Sequence, residues 1–200
     1  MSLDLPRILG REHVVGGVAR ISAEIAEPGV VVHHSSFASI EFGELDGSRS
    51  SRLQKFLSTA QKSEIKAQIC DDINAAIWKK FIMLASFSAI TALTRLPAGP
   101  IRDTPESWNL LEAAAHETGA VARARGVHLG ENAVGDAVQA IHGLPDAMKS
   151  SMLMDLERGN RLELEWLSGA VCRLGREAGV DTPVHRVVLA ALMPFASGDR

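Results

Sequence analysis

"DDINAAIWKKFIMLASFSAITALTR", residues 71–95, decides how the chain is built. It begins as a polar helix start, with Asp71 or Asp72 able to cap. After Lys79 and Lys80 it carries no charge until Arg95. At about 100° per residue, Phe81, Ile82, Met83, Leu84, Phe87, Ile90 and Leu93 cover every face. A helix apolar all round is buried in protein. An ammonium at its entrance therefore needs a reason. A lysine at a helix end ordinarily snorkels to water, and the stripes of Lys79 and Lys80 are similarly apolar, so periodicity does not choose between them.

Composition narrows the function classes. The chain has 200 residues, 46% hydrophobic and 22% charged, as in a globular protein with a sizeable core. Its 21 basic and 24 acidic residues give a formal charge of −3 without a basic run, so no nucleic-acid partner is expected. Cys70 and Cys172 stand alone in apolar settings, which fits a reducing cytoplasm. "MSLDLPRILG" lacks the apolar core of a signal peptide, and the uncharged stretch 81–94 is too short to span a bilayer. The expectation is a soluble cytoplasmic chain with no membrane partner.

Outward from the helix the texture changes. Residues 14–45 are dense in Val and Ile around a Glu27-Pro28-Gly29 turn and read as β. A loop, a short helix over "SRLQKFLSTAQK" and a strand over "SEIKAQIC" follow. Beyond residue 71 everything reads as helix: 71–95, 105–125 with Asp103 or Thr104 as cap, 131–142, Pro145 to about Glu157, 161–178, and 183–196. The expected class is α+β: a small β-rich piece over 4–70, then an all-helical domain over 71–200.

Few motifs carry chemistry. His33 and His34 are adjacent in an expected strand and point to opposite faces, so they do not share a metal. GxGxxG is absent from the chain, so Gly16-Gly17 does not announce a phosphate loop. "SFASI" is not a GxSxG elbow. What remains is the Lys79/Lys80 pair and "SSMLMDLERGNRLELEWLSG" (150–169). That stretch places a serine pair on one helix, breaks at Gly159-Asn160, and opens the next helix with Glu163 and Glu165. First-turn glutamates suit the helix dipole. Should one of them face a cleft beside the lysine, a polar inter-helix site results.

"WKK", "SSMLMDLERGNRLELEWLSGAVCRLGREAGVDTP" and the upstream "GGVARISAEIAEPGVVVHH…FGE" together resemble the ketopantoate reductase family. The resemblance runs from about Leu9 to Leu192. It implies the last β-rich remnant of an NADPH-binding Rossmann domain, followed by a helical substrate and dimerisation domain of the 6-phosphogluconate dehydrogenase C-terminal type. Met1-Ser2-Leu3 would then be a cloning leader. By the same resemblance Lys80, which follows a Trp and one intervening residue, is the general acid. Ser151 and Glu163 bind the substrate, a small 2-oxo acid. The cofactor is NADP, not expected to bind this chain alone, because the main phosphate loop lies outside it. In a ketone reduction the oxygen gains negative charge as hydride reaches carbon, and an ammonium can donate the proton.

The chain departs from the family pattern at four amide positions, where Leu84, Ser88, Ala98 and Met148 stand for Asn. A pocket without those amides should take a less polar 2-oxo acid or a differently arranged one. The competing expectation is a non-catalytic helical module that only dimerises or binds a partner. A homo-oligomer is expected in either case, since strands without neighbours leave open edges.

Overall fold

The computed structural model describes residues 5–21, 23–33, 38–63 and 65–198. His34 and Met1-Ser2-Leu3 lie outside the described residues. The chain divides into two compact units, one ending at Ile77 and one running from Trp78.

In the first unit a short helix α1 (Leu5–Leu9) and a 3-10 turn precede β1 (Val15–Arg20). β2 (Ala23–Glu27) and β3 (Val30–His33) form a separate antiparallel hairpin around Pro28-Gly29, where Gly29 takes φ 87°. β4 (Ser39–Glu44) is central in a three-stranded sheet. It pairs antiparallel with β1 and parallel with β5 (Lys66–Ile69). Parallel neighbours need a crossover, and α2 (Ser51–Ala60) supplies it. The glycine-rich stretch has a packing reason. Gly16 and Gly43 are cross-strand partners, and a Cβ at Gly16 would come within 2.8 Å of Ile73. At Gly43 it would lie 2.6 Å from the Cys70 carbonyl.

The second unit is wrapped around α3 (Ile73–Thr94) from Trp78 onwards; the helix begins in the first unit, where Asp72 caps it by accepting from Ala75 N at 2.9 Å. The other helices are α4 (Ala98–Asp103), α5 (Pro105–Ala124), α6 (Ala133–His142), α7 (Ser151–Arg158), α8 (Ser168–Ala178) and α9 (Pro183–Leu192), which a 3-10 turn extends to Phe195. Phe81 and Ala85 pack with Val121 of α5 and Val171 and Leu174 of α8. Ile82 packs with Val134 and Val138 of α6. Phe87 and Ile90 share a cluster with Ile101, Leu111, Met152, Leu164 and Val188. By length and composition α3 could cross a membrane, but 67% of its most apolar window is buried in protein, which makes it the core helix. Three of its hydroxyls bond back to the helix: Ser86 to Ile82 O, Thr91 to Phe87 O and Thr94 to Ile90 O, each at 2.7 Å.

Several sequence expectations need correction. α4 was not foreseen at all. Its N-terminal amides are satisfied from outside, Ala98 N by Met148 O and Gly99 N by Asp146 O, both at 2.9 Å. No side-chain cap bond comes from Thr104 to α5; its hydroxyl turns back to Pro100 O at 2.8 Å. Residues 145–150 are not helical, so α7 starts at Ser151. α8 starts at Ser168 rather than at 161.

The first turn of α9 is capped from another helix. Glu117 of α5 accepts from Val184 N at 2.7 Å and His185 N at 3.1 Å. Burial raises the Glu117 carboxyl above its ordinary value, and these two donors pull it partly back. His185 is fully buried where α5, α8 and α9 meet. Its Nε2 lies 3.0 Å from Thr118 Oγ1 and 3.1 Å from Ala114 O, and its Nδ1 lies 3.1 Å from Ser168 Oγ. A neutral ring protonated on Nε2 satisfies all three, accepting from Ser168. Burial pushes its pKa down to about 4 from 6.5.

Two outcomes follow for stability. The folded His185 ring resists a proton that the unfolded chain takes near pH 6.5. Its contribution is therefore complete above that pH and is lost as pH falls towards 4. Urea unfolding should show about 2 kcal/mol less stability at pH 5 than at pH 7.5 from this group. The loss should be absent in His185→Gln, which keeps Glu117 with its opposite-signed contribution. Separately, Ser150 accepts from Leu153 N at 3.1 Å and lies 2.7 Å from Thr91 Oγ1 in a buried hydrogen bond. Ser150→Ala should cost about 1–2 kcal/mol in the same assay, whereas the exposed Ser151→Ala should stay within about 0.5 kcal/mol.

Candidate active site

Lys79 and Lys80 stand in the second turn of α3, Lys79 exposed and Lys80 half-buried. Eleven residues along an α-helix are three turns plus about 20° and about 16 Å. Lys80 therefore shares one stripe with Leu84, Phe87 and Thr91. That stripe ends at a defined contact, because Thr91 Oγ1 bonds to Ser150 Oγ at 2.7 Å. Lys79 lies about 100° away. The α3 stripe that reaches the serine pair is thus the one that bears Lys80.

The serine pair divides its roles. Ser150 is buried and used up as the α7 cap and as the partner of Thr91, whereas Ser151 is exposed. The turn-containing segment before them is fixed by α4. Arg102 donates to His142 O at 2.8 Å and Leu144 O at 3.0 Å and pairs with the Asp146 carboxylate. Gly99 is needed there, since a Cβ would fall 2.8 Å from Asp146 Cβ. Two of the amide-lacking positions meet at this junction, because Ala98 N donates to Met148 O. The other two, Leu84 and Ser88, lie on or beside the Lys80 stripe.

Glu163 does not open a helix. It precedes a turn over 164–167, its carbonyl accepting from Trp166 N and Leu167 N at 3.0 Å each, and its side chain is exposed. The reason is tertiary. Leu162 and Leu164 are both buried in the cluster that holds Phe87 and Met152, and burying every second residue demands an extended backbone. Leu162 N is further held by Ala196 O at 3.0 Å. A hollow of about 360 Å³ here is lined by Arg161, Leu162, Glu165, Trp166, Ala196 and Ser197, so Glu165 rather than Glu163 faces it.

The backbones of the three candidates are thus fastened to one core cluster: Phe87 on the Lys80 stripe, Met152 beside Ser151, and Leu162 and Leu164 flanking Glu163. No hydrogen bond joins the side chains of Ser151 and Glu163. Among the described residues no group of three His, Cys, Asp or Glu side chains is placed to hold a metal. Gly16-Gly17 lies within β1 and offers no phosphate cradle. A second hollow of about 410 Å³ in the first unit is lined by Glu44, Ser50 and Arg52 among others. Its buried charge is already answered: the Arg52 guanidinium, then the Ser50 hydroxyl, hold the Glu44 carboxyl below its ordinary value.

Residues 72–196 match the family model described as ketopantoate reductase PanE/ApbA C terminal. A 2-dehydropantoate 2-reductase of Archaeoglobus fulgidus is 31% identical over 185 residues, which is 92% of this chain and 62% of that protein. Among solved structures, 2-dehydropantoate 2-reductase from Methylococcus capsulatus superposes with a TM-score of 0.85 at 27% identity, over 97% of this chain and 62% of that one. A dimeric ketopantoate reductase from Staphylococcus aureus gives 0.80 at 27% identity, over 92% and 62%. The chain spans about three fifths of the length of these relatives. It belongs to the ketopantoate reductase family.

Proposed function

We propose that the chain is the substrate-side part of a nicotinamide-dependent reductase of 2-oxo acids, with Lys80 as general acid and Ser151 and Glu163 as substrate-binding residues. The observation that carries this reading is the single stripe of the core helix. It bears a half-buried lysine at one end and the Thr91–Ser150 hydrogen bond at the other. Ser151 follows directly and has its side chain exposed.

A 2-oxo acid offers a ketone oxygen and a carboxylate. As the ketone is reduced, its oxygen takes the proton from Lys80 Nζ, leaving a neutral amine that regains a proton from solvent. The Ser151 hydroxyl can donate to a substrate oxygen, and the Glu163 carboxylate can accept from the product hydroxyl or hold the amine. NADP, implied by the family resemblance, would supply the hydride. These 200 residues contain no GxGxxG sequence for its pyrophosphate. The dimeric Staphylococcus aureus relative supports a homo-oligomer, and the free thiols of Cys70 and Cys172 suit the cytoplasm.

In the protein expressed from its own reading frame, Lys80→Ala should lower kcat by about 10²- to 10⁴-fold, while Lys79→Ala should change it by no more than a few-fold. Equal effects from the two substitutions would refute the assignment. The 200-residue chain by itself should show no micromolar affinity in an NADPH titration followed by fluorescence, and tight binding would mean that the chain holds a dinucleotide by other means.

A further inference from the structure

Leu84 is 41% exposed, although every other large apolar side chain on α3 is buried or half-buried. It follows Lys80 by four residues, so the two Cβ atoms are about 6 Å apart on the helix surface. Helical side chains lean towards the N-terminus, which carries the Leu84 isobutyl group back over the turn that bears Lys80. Beyond it on the same side of the helix, Phe87, Ser88 and Thr91 are buried. What the helix displays next to the lysine is therefore hydrocarbon.

We infer that Leu84 is a specificity-determining residue, an apolar wall that selects 2-oxo acids whose side chain is unsubstituted hydrocarbon. The inference rests on the reading of Lys80 as the proton donor. With the ketone oxygen at Lys80 Nζ, C3 is two bonds away and its substituents three, which carries them towards the Leu84 methyl groups. A hydrocarbon side chain there removes apolar surface from water on both partners. A hydroxyl there would leave water for a side chain that offers it neither donor nor acceptor. Reduction remains the same reaction for either substrate: hydride to C2, a proton from Lys80 to oxygen, and a 2-hydroxy acid as product.

A matched pair tests this: 3,3-dimethyl-2-oxobutanoate and its 4-hydroxy derivative, which differ by one hydroxyl. Initial rates are measured in the full protein, with NADPH and with NADH, for wild type, Leu84→Asn, Leu84→Gln, Leu84→Ile and Lys80→Ala. Wild type should favour the hydrocarbon acid in kcat/KM by about 10- to 100-fold. Leu84→Asn and Leu84→Gln should each move that ratio at least about tenfold towards the hydroxylated acid, and Leu84→Ile should keep it. Preference of wild type for the hydroxylated acid, or a ratio indifferent to both amide substitutions while Lys80→Ala still abolishes turnover, overturns the role of Leu84 alone. Turnover of neither acid overturns it together with the reading of Lys80.

Discussion

A helix with no polar face has no side that can be left in water, and the second unit is organised by that fact. α3 is enclosed by α5 and α8 at Trp78, Phe81 and Ala85, by α6 at Ile82, and by α4, α7 and α9 towards its end. Each neighbour gains a buried stripe by covering it. The lysines at its entrance are tolerated because the wrapping is incomplete there, leaving Lys79 exposed and Lys80 half-buried. The place where the core helix is least covered is also where its only cations stand, so the position of the candidate chemistry follows from the packing.

Much of this was legible in the sequence because it depends on local signals. The all-round apolar pattern placed α3 to within two residues of its ends, and Asp72 caps it as an aspartate before an apolar run should. Pro28-Gly29 gave the hairpin turn, and Gly126, Gly159 and Gly179 end or follow helices with positive φ. The family, too, was readable from the motif over 150–183. What failed did so where a distant residue overrules local preference. Glu163 and Glu165 look like first-turn glutamates, but with Leu162 and Leu164 both buried the chain runs extended to Glu163 and turns over 164–167 before α8 begins. α4 was invisible because "PAGPIRD" has poor helix propensity and is held by carbonyls of residues 146 and 148.

The same contrast separates the serines. Both belong to one motif, yet only the structure shows that Ser150 is consumed by capping α7 and bonding Thr91, while Ser151 stays exposed. Likewise, Thr182 ahead of Pro183 has the residue type of a helix cap, but its side chain makes no cap bond and Glu117 accepts from the first-turn amides from α5. Caps borrowed across the fold tie helix ends to tertiary structure, so α9 is fixed where it packs rather than where its sequence begins.

The bond from Leu162 N to Ala196 O, and the close seat of Gly198 on Gly159, where an added Cβ would lie 2.5 Å from the carbonyl, have a temporal side. A ribosome makes the stretch bearing Leu162 and Glu163 well before it makes the residues that clamp it. While the nascent chain stops short of residue 196, Leu162 has no partner for its amide and the segment is free to follow its local helical preference. Maturation of this corner is therefore a late event in synthesis. It comes after α3, α5 and α6 have already emerged and can enclose one another.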